Sequence, residues 1–358
     1  MKKDLLLFLF FLLFSFFPRV NGIAANVPLP ADPPAAAKSS EKISPKTDKN
    51  LVVFASDMHL IKKVELRVGK KGEKGIHQRY YTKMQPGEWL IEYDTKENLR
   101  LFIQKMLAMN PRPAAVLFLG DIASDTDQEI YSIYRSLLKP LADAGIPYWN
   151  IPGNHDHFDN YYSIFPEERK KSIVPVEKWG AYRVELPAVD FVLMETFAPK
   201  KGDRNGSFDR FFKQKERDFY KKYPNYYVYE GWFTPEQHQW LKEQLQKNPA
   251  KPIFLCGHHP MQMEFVFPEH DQFPNFQGWI CGHYHTFYQI VREGSNRSIV
   301  LPGLGVPGIG WNLDPPGYVI MKMEPNQYRF QYCTLNPSEP QNGRTFIFPI
   351  LNRSGERK

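Results

Sequence analysis

Five short clusters hold six of the ten histidines in this sequence beside three aspartates and an asparagine: Asp57-Met58-His59, Gly120-Asp121, Gly153-Asn154-His155-Asp156, Gly257-His258-His259-Pro260 and Gly282-His283-Tyr284-His285. Asp57 and His59 are two apart, as are His283 and His285, and in an extended chain such pairs point to one side, so each pair can reach one centre. Asp121 is an isolated carboxylate whose two oxygens suit a bridge between two cations. Asn154 offers a neutral carbonyl oxygen and His258 an imidazole nitrogen. This mixture favours borderline divalent metals, Mn, Fe, Zn, Co or Ni, over Ca or Mg. A single such cluster carries little weight, because a buried histidine is more often hydrogen-bonded structure than a ligand. Five in order, each behind an apolar run and several with a glycine where the backbone must turn tightly, are hard to explain by packing.

The elements that must position these clusters are legible around them. Residues 51–55, 114–119, 148–151, 253–256 and 279–281 are short apolar runs of strand character, so five strands are expected to deliver the ligands at one edge of a sheet. Leu99, Phe102, Ile103, Met106 and Leu107 repeat at helical spacing within 95–109, ahead of Pro111, and a second helix is expected over 128–144. Thr234-Pro235-Glu236-Gln237 is a helix start, with the helix running to Asn248. Strand, helix, strand order implies parallel crossovers in an α/β architecture, with ligands collecting beyond the strands' carboxyl ends. Further strands are expected over 181–186 and 190–196, then a closing antiparallel set over 287–291, 299–301, 318–323 and 328–333. The Gly/Pro-rich loop from Pro302 to Gly317 is expected to border the pocket.

With all five blocks present and in order, the sequence resembles the calcineurin-like metallophosphoesterase superfamily over about residues 50–335, whose signature is Asp-x-His, Gly-Asp, Gly-Asn-His-Asp/Glu, Gly-His and Gly-His-x-His. The resemblance implies a four-layer α-β-β-α sandwich of mixed sheets with a dinuclear metal site at the strand carboxyl ends. It implies one divalent ion held by Asp57, His59, Asp121 and His285, and a second held by Asp121, Asn154, His258 and His283. His258 is preferred to His259 because it directly follows Gly257 and stands two before Pro260. The implied activity is hydrolysis of phosphodiesters or phosphomonoesters by a metal-bridging hydroxide, with His155 as proton donor to the leaving oxygen and Asp156 orienting its ring. Ser124 stands where purple acid phosphatases place a tyrosine, which argues against a ferric-tyrosinate centre.

At 358 residues, 42% hydrophobic and 15% aromatic, the chain can bury a large core. Its formal charge of +7 favours a phosphorylated small molecule or another anionic substrate as partner. Residues 1–22 have the layout of a signal peptide: Lys2 and Lys3, a 13-residue apolar run from Leu5 to Phe17, then small residues. That run is shorter than the ~20 residues a spanning helix needs, so the chain is expected to be exported, periplasmic or secreted, with an uncleaved anchor as the alternative. A Pro/Ala-rich tether follows over 23–49, and residues 336–358 are expected to form a peripheral strand and a frayed end. Two insertions, 62–93 and 197–233, interrupt the domain; the first is Lys/Arg-rich and reads as a loop or exposed hairpin. The second interleaves nine Lys/Arg with aromatics, so a nuclease or nucleic-acid-binding role stands as one alternative, and a non-catalytic binding module on the same fold as another. Cys256 and Cys281, each just before a Gly-His cluster, are expected to be small buried residues, with a bridge between them as the alternative.

Overall fold

In a computed structural model of the chain, residues 46–61, 69–70, 81–83, 88–91, 94–124, 127–167, 180–196, 235–260, 266–292, 295–306 and 314–351 are described. The expected signal peptide, most of the tether, the insertion 197–233 and the last residues of the chain lie outside them. Among the described residues no helix is long and apolar enough to cross a membrane.

One sheet is built from β1 (Thr47–Ala55), β5 (Arg112–Leu119), β6 (Tyr148–Ile151), β13 (Gly317–Glu324), β14 (Gln327–Thr334) and β15 (Thr345–Pro349), ordered β15-β14-β13-β1-β5-β6. The other holds β7 (Ala181–Glu185), β8 (Asp190–Met194), β9 (Ile253–Gly257), β10 (Phe276–Cys281), β11 (Tyr288–Val291) and β12 (Arg297–Val300), ordered β11-β12-β10-β9-β8-β7. A small third sheet, β2 (Gly69–Lys70), β3 (Tyr81–Lys83) and β4 (Glu88–Ile91), occupies the first insertion, where a loop or hairpin was expected. Among the described residues the α-helices are α1 (Thr95–Ala108), α2 (Gln128–Asp143), α3 (Phe158–Ile164) and α4 (Pro235–Lys247). Asp94 caps α1, its carboxylate accepting from Lys96 N and Glu97 N, both at 3.0 Å.

Alternation along the strands sorts the layers. Val52 and Phe54 of β1 enter a core shared with Phe191, Phe254, Val319 and Phe330, which come from both sheets, so the sheets pack face to face. Val53 and Ala55 take the opposite face with Phe102 and Met106 of α1 and Tyr134 and Leu138 of α2. On the outer face of the second sheet, Leu255, Trp279 and Cys281 pack with Trp240 and Leu241 of α4. Helix, sheet, sheet, helix is the four-layer order that the resemblance implies. Each large apolar side chain buried in these layers contributes about 1.5–3 kcal/mol relative to exposure.

Three expectations need correction. The first strand starts earlier than Asn50: Thr47↔Arg112 and Asp48↔Pro113 already pair, ahead of a register shift to Val52↔Ala115, so backbone hydrogen bonds recruit a polar segment that no apolar pattern marks. The four late strands do not form one antiparallel set. β11 and β12 extend the second sheet, with β12 parallel to β10, while β13 and β14 belong to the first. The bridge between Cys256 and Cys281 is excluded because they face opposite sides of their sheet, Cys256 toward the inter-sheet core and Cys281 toward α4; both are free and buried.

The loop after β12 reaches back to the first sheet, with Leu304 N donating to Ser56 O at 2.9 Å and Gly305 N to Asp57 O at 3.1 Å. At Gly305 a Cβ would stand 1.7 Å from Met58 O, so only glycine permits that approach.

Candidate metal centre

The five clusters leave the carboxyl ends of β1, β5, β6, β9 and β10. The first three strands belong to one sheet and the last two to the other, so the ligands do not collect at one sheet edge as expected but across the seam between two. Hydrogen bonds stitch that seam. His283 N donates to both Asp57 oxygens, at 3.2 and 3.0 Å, and His258 Nδ1 donates to Leu119 O at 2.8 Å. Within the first sheet's loops, Asp57 N donates to Gly120 O at 3.0 Å and His59 N to Asp121 O at 2.9 Å.

Among the described residues, the non-glycine positions with positive φ are Asp57 (55°), His59 (46°), Asp121 (51°), His283 (77°) and His285 (53°). Every one is a candidate ligand. The pairs two apart are therefore not extended; each residue turns its side chain inward from a left-handed backbone that costs of order 1–3 kcal/mol. Asp57 and His59 still fall in one group, but His283 and His285 separate into two. Gly120, at φ 87°, completes the pattern: a Cβ there would meet His258 Nδ1 at 2.6 Å.

Two donor groups result. Asp57, His59, Asp121 and His285 each offer a ligand atom, all within 4.8 Å of one another and all buried; Asp121, His258 and His283 form the second group under the same limit. Asn154 joins the second, its Oδ1 standing 2.9 Å from His283 Nδ1. Asp121 is the member common to both, with Oδ2 3.5 Å from His59 Nε2 and 3.2 Å from His258 Nε2. Ring orientation fits cation binding. His258 Nδ1 is committed to Leu119 O, and His59 Nδ1 to Ser124 Oγ at 2.9 Å, which turns both Nε2 atoms inward. His59 Nε2 and His285 Nε2 then lie 3.1 Å apart, and His285 Nε2 lies 3.1 Å from Asp57 Oδ1. Two ring nitrogens that close, beside buried carboxylates, are a donor set for a cation.

Electrostatics agree. Burial works to raise the Asp57 carboxyl, but His285 and His258 outweigh it and hold the group down at about 2; Asp121 is likewise held well below the ordinary range by His258 and His59 against its burial. Burial, with His258 nearby, lowers His283 to about 4, which leaves its ring lone pair free at neutral pH. His258 goes the other way: burial disfavours its charge, yet Asp121 raises it to about 9. A cation entering the second group must displace that proton. Uptake there is expected to strengthen about tenfold per pH unit up to about 9 and to release one proton, read as buffer-dependent heat in calorimetry; uptake flat between pH 6 and 8 would exclude it.

His155 lies beside both groups. Its backbone N donates to Asp121 Oδ1 at 2.8 Å, its Nε2 is 3.9 Å from Asp121 Oδ2, and its side chain is 28% exposed. Asp156 does not orient that ring, contrary to expectation. Its two oxygens are occupied by Gly153 N (2.8 Å), Ile122 N (3.1 Å), Ala123 N (3.0 Å) and the Tyr131 hydroxyl (3.2 Å), so it ties the Asp121 loop to the Asn154 loop. Burial and the Asp121 charge push its carboxyl up to about 7, against the pull of those backbone N–H groups.

Residues without a motif also shape the site. Ser124 orients His59, the Leu119 carbonyl orients His258, and Thr196 Oγ1 accepts from both His258 N (3.2 Å) and His259 N (3.1 Å). No sequence pattern marks a hydroxyl or a carbonyl in that role.

Comparison with known proteins places this site in a family. A 216-residue match, 26% identical and covering 59% of this chain, links it to the "Probable glycerophosphodiester phosphodiesterase GpdQ" of Arcobacter nitrofigilis, and the chain spans 57% of that relative's length. A second match, 20% identical over 222 residues and 57% of this chain, is to the 3′,5′-cyclic adenosine monophosphate phosphodiesterase CpdA of Vibrio vulnificus, of which 66% is spanned. In fold, the chain superposes on a dimetal phosphatase from Danio rerio with a TM-score of 0.59 at 15% identity, covering 84% of this chain and 98% of the other. The sequence profile of the calcineurin-like phosphoesterases matches residues 51–287, which takes in all five clusters, and the chain belongs to that family.

Proposed function

We propose that this chain hydrolyses phosphate esters with two divalent cations, one held by Asp57, His59, Asp121 and His285 and the other by Asp121, Asn154, His258 and His283. The observation that carries the reading is the pair of convergent donor groups sharing Asp121. When bound, such a cation pair supplies a strong nucleophile from water at neutral pH and polarises the phosphoryl oxygens. The chain's own part is to hold the ester and manage protons. The Asp57 and Asp121 carboxylates stay ionised, and the neutral His283 ring keeps its lone pair for binding. His155, partly exposed and fixed by its backbone bond to Asp121, is placed to give a proton to the departing oxygen. Both curated relatives carry phosphodiesterase names, which supports a diester as substrate.

The test is hydrolysis of aryl phosphate mono- and diesters by the metal-reconstituted chain beside His155→Ala. The variant is expected to keep its metal content and lose about a hundredfold in kcat. Equal turnover in the two proteins would remove His155 from the mechanism. A nucleic-acid role draws on residues 197–233, outside the described site, and nothing in the two donor groups adds to it. The charged-then-apolar layout of residues 1–22 supports export of the mature chain; amino-terminal sequencing is expected to find it starting beyond residue 22, and an intact Met1 would remove the cleaved-signal reading.

A further inference from the structure

His285 belongs to the first donor group and keeps a left-handed backbone at φ 53°. Two residues on, both backbone groups of Phe287 are held by side chains from the C-terminal part of the chain. Phe287 N donates to Asp314 Oδ2 at 2.7 Å, while Arg344 Nη2 donates to Phe287 O at 2.6 Å and to the same Asp314 oxygen at 2.7 Å. One carboxylate oxygen and one guanidinium nitrogen thus close a charge-assisted ring around a single residue. Asp314 is buried, and the Arg344 guanidinium lies over the rings of Phe287 and Tyr332, 5.3 and 5.5 Å from their centroids.

The loop that carries Asp314 also closes the other side of His285. A Cβ at Gly303 would stand 3.1 Å from His285 Cβ, and Gly303 O accepts from Gly317 N at 3.0 Å. The stretch from Pro302 to Gly317, expected to border the pocket, therefore abuts a ligand at its start and ties down the chain leaving that ligand near its end. Asp314 and Arg344 lie beyond residues 51–287, which the family profile matches, and neither belongs to a donor group.

We propose that Asp314 and Arg344 are positioning residues for the first cation site: by holding both backbone groups of Phe287 they fix the left-handed turn at His285, and with it the place of the His285 ring beside Asp57, His59 and Asp121. The proposal rests on the two-cation reading and makes the chain after β12 part of the support of the site.

The probe is manganese(II) alone, titrated calorimetrically into the metal-free full-length chain, with urea unfolding of the same samples. Arg344→Met keeps the apolar stem over the two rings and removes the donors; Arg344→Lys returns one donor nitrogen, and one nitrogen makes both contacts in the parent. The Met variant is expected to bind one of two ions about tenfold more weakly and the other within about threefold of the parent, and the Lys variant to stay within about threefold for both. In an Asp57→Ala background, where only the second donor group is complete, Arg344→Met is expected to change the remaining affinity by less than about threefold. Arg183→Met serves as the comparison for lost stability alone: it breaks a pair with Asp190 on β7 and β8 and should leave both affinities within about threefold. A folded Arg344→Met protein with both affinities intact, or a loss shared equally by both ions or by Arg183→Met, overturns this inference while a parent that binds two ions keeps the functional reading. A parent that takes up no manganese(II) overturns that reading and this inference with it. Should Arg344→Met not fold, amide exchange in the metal-free parent decides. A Phe287 N–H slowed at least about a hundredfold supports the proposal, and exchange at the free-peptide rate overturns it.

Discussion

Asp121→Ala is expected to bind neither cation after dialysis and to lose more than about a thousandfold in kcat/KM, because the charge stabilisation a metal supplies is several kcal/mol and each 1.36 kcal/mol is tenfold. The reason is positional: Asp121 is the carboxylate common to both donor groups, with one oxygen toward His258 and His59 and the other holding His155 N. Asp57→Ala makes the contrast. Asp57 belongs to the first group only, so that variant should keep a cation bound to the second. Elemental analysis of dialysed protein checks both stoichiometries, and thermal melting confirms that each variant is folded. Two equivalents of metal retained by a folded Asp121→Ala protein would sink the bridging role.

Asp156→Ala is expected to cost about 4 kcal/mol of stability, more than most single substitutions. Alanine would leave Gly153 N, Ile122 N, Ala123 N and the Tyr131 hydroxyl without their acceptor, and an orphaned buried donor costs about 1–3 kcal/mol, with losses at one centre less than additive. Asp156→Asn discriminates this from loss of volume. It matches the aspartate in shape but turns a donor toward two donors, so it should retain only part of the stability. Urea unfolding of the metal-free proteins measures both; an Asn variant as stable as the parent would show that the carboxylate is not the knot between the two loops. Both variants should also bind metal less tightly, since the loops they loosen carry Asp121 and Asn154.

The sequence and the structure agree where local physics dominates. Apolar runs such as Leu51 to Ala55 and Ile253 to Cys256 are buried strands, and the spacing of Leu99, Phe102, Ile103 and Met106 matches the buried face of α1. The ligand types were legible because Asp, Asn and His in glycine-flanked clusters are chemically unusual. What escaped depends on partners distant in the chain. That β12 would run parallel to β10 and that β13 would cross to the other sheet are choices made by non-local pairing. The left-handed backbone at Asp57, His59, Asp121, His283 and His285 was hidden because those residue types do not announce it, and surrounding bonds impose it. Asp156 was misread because its neighbour His155 is close in sequence, while the amides it serves, Ile122 and Ala123, lie on another loop.

The aromatic layer between the sheets has a consequence for metal chemistry. Phe254 meets Tyr328 with ring centroids 4.8 Å apart, and Phe54 meets Phe191 at 5.6 Å, each pair reaching from one sheet to the other. Because each donor group draws side chains from both sheets, the thickness of this hydrocarbon filling acts as a shim that sets how closely the donors from one sheet approach those from the other. Preference among ions of different radius can thus drift through ring size in the interior, with every coordinating residue left untouched.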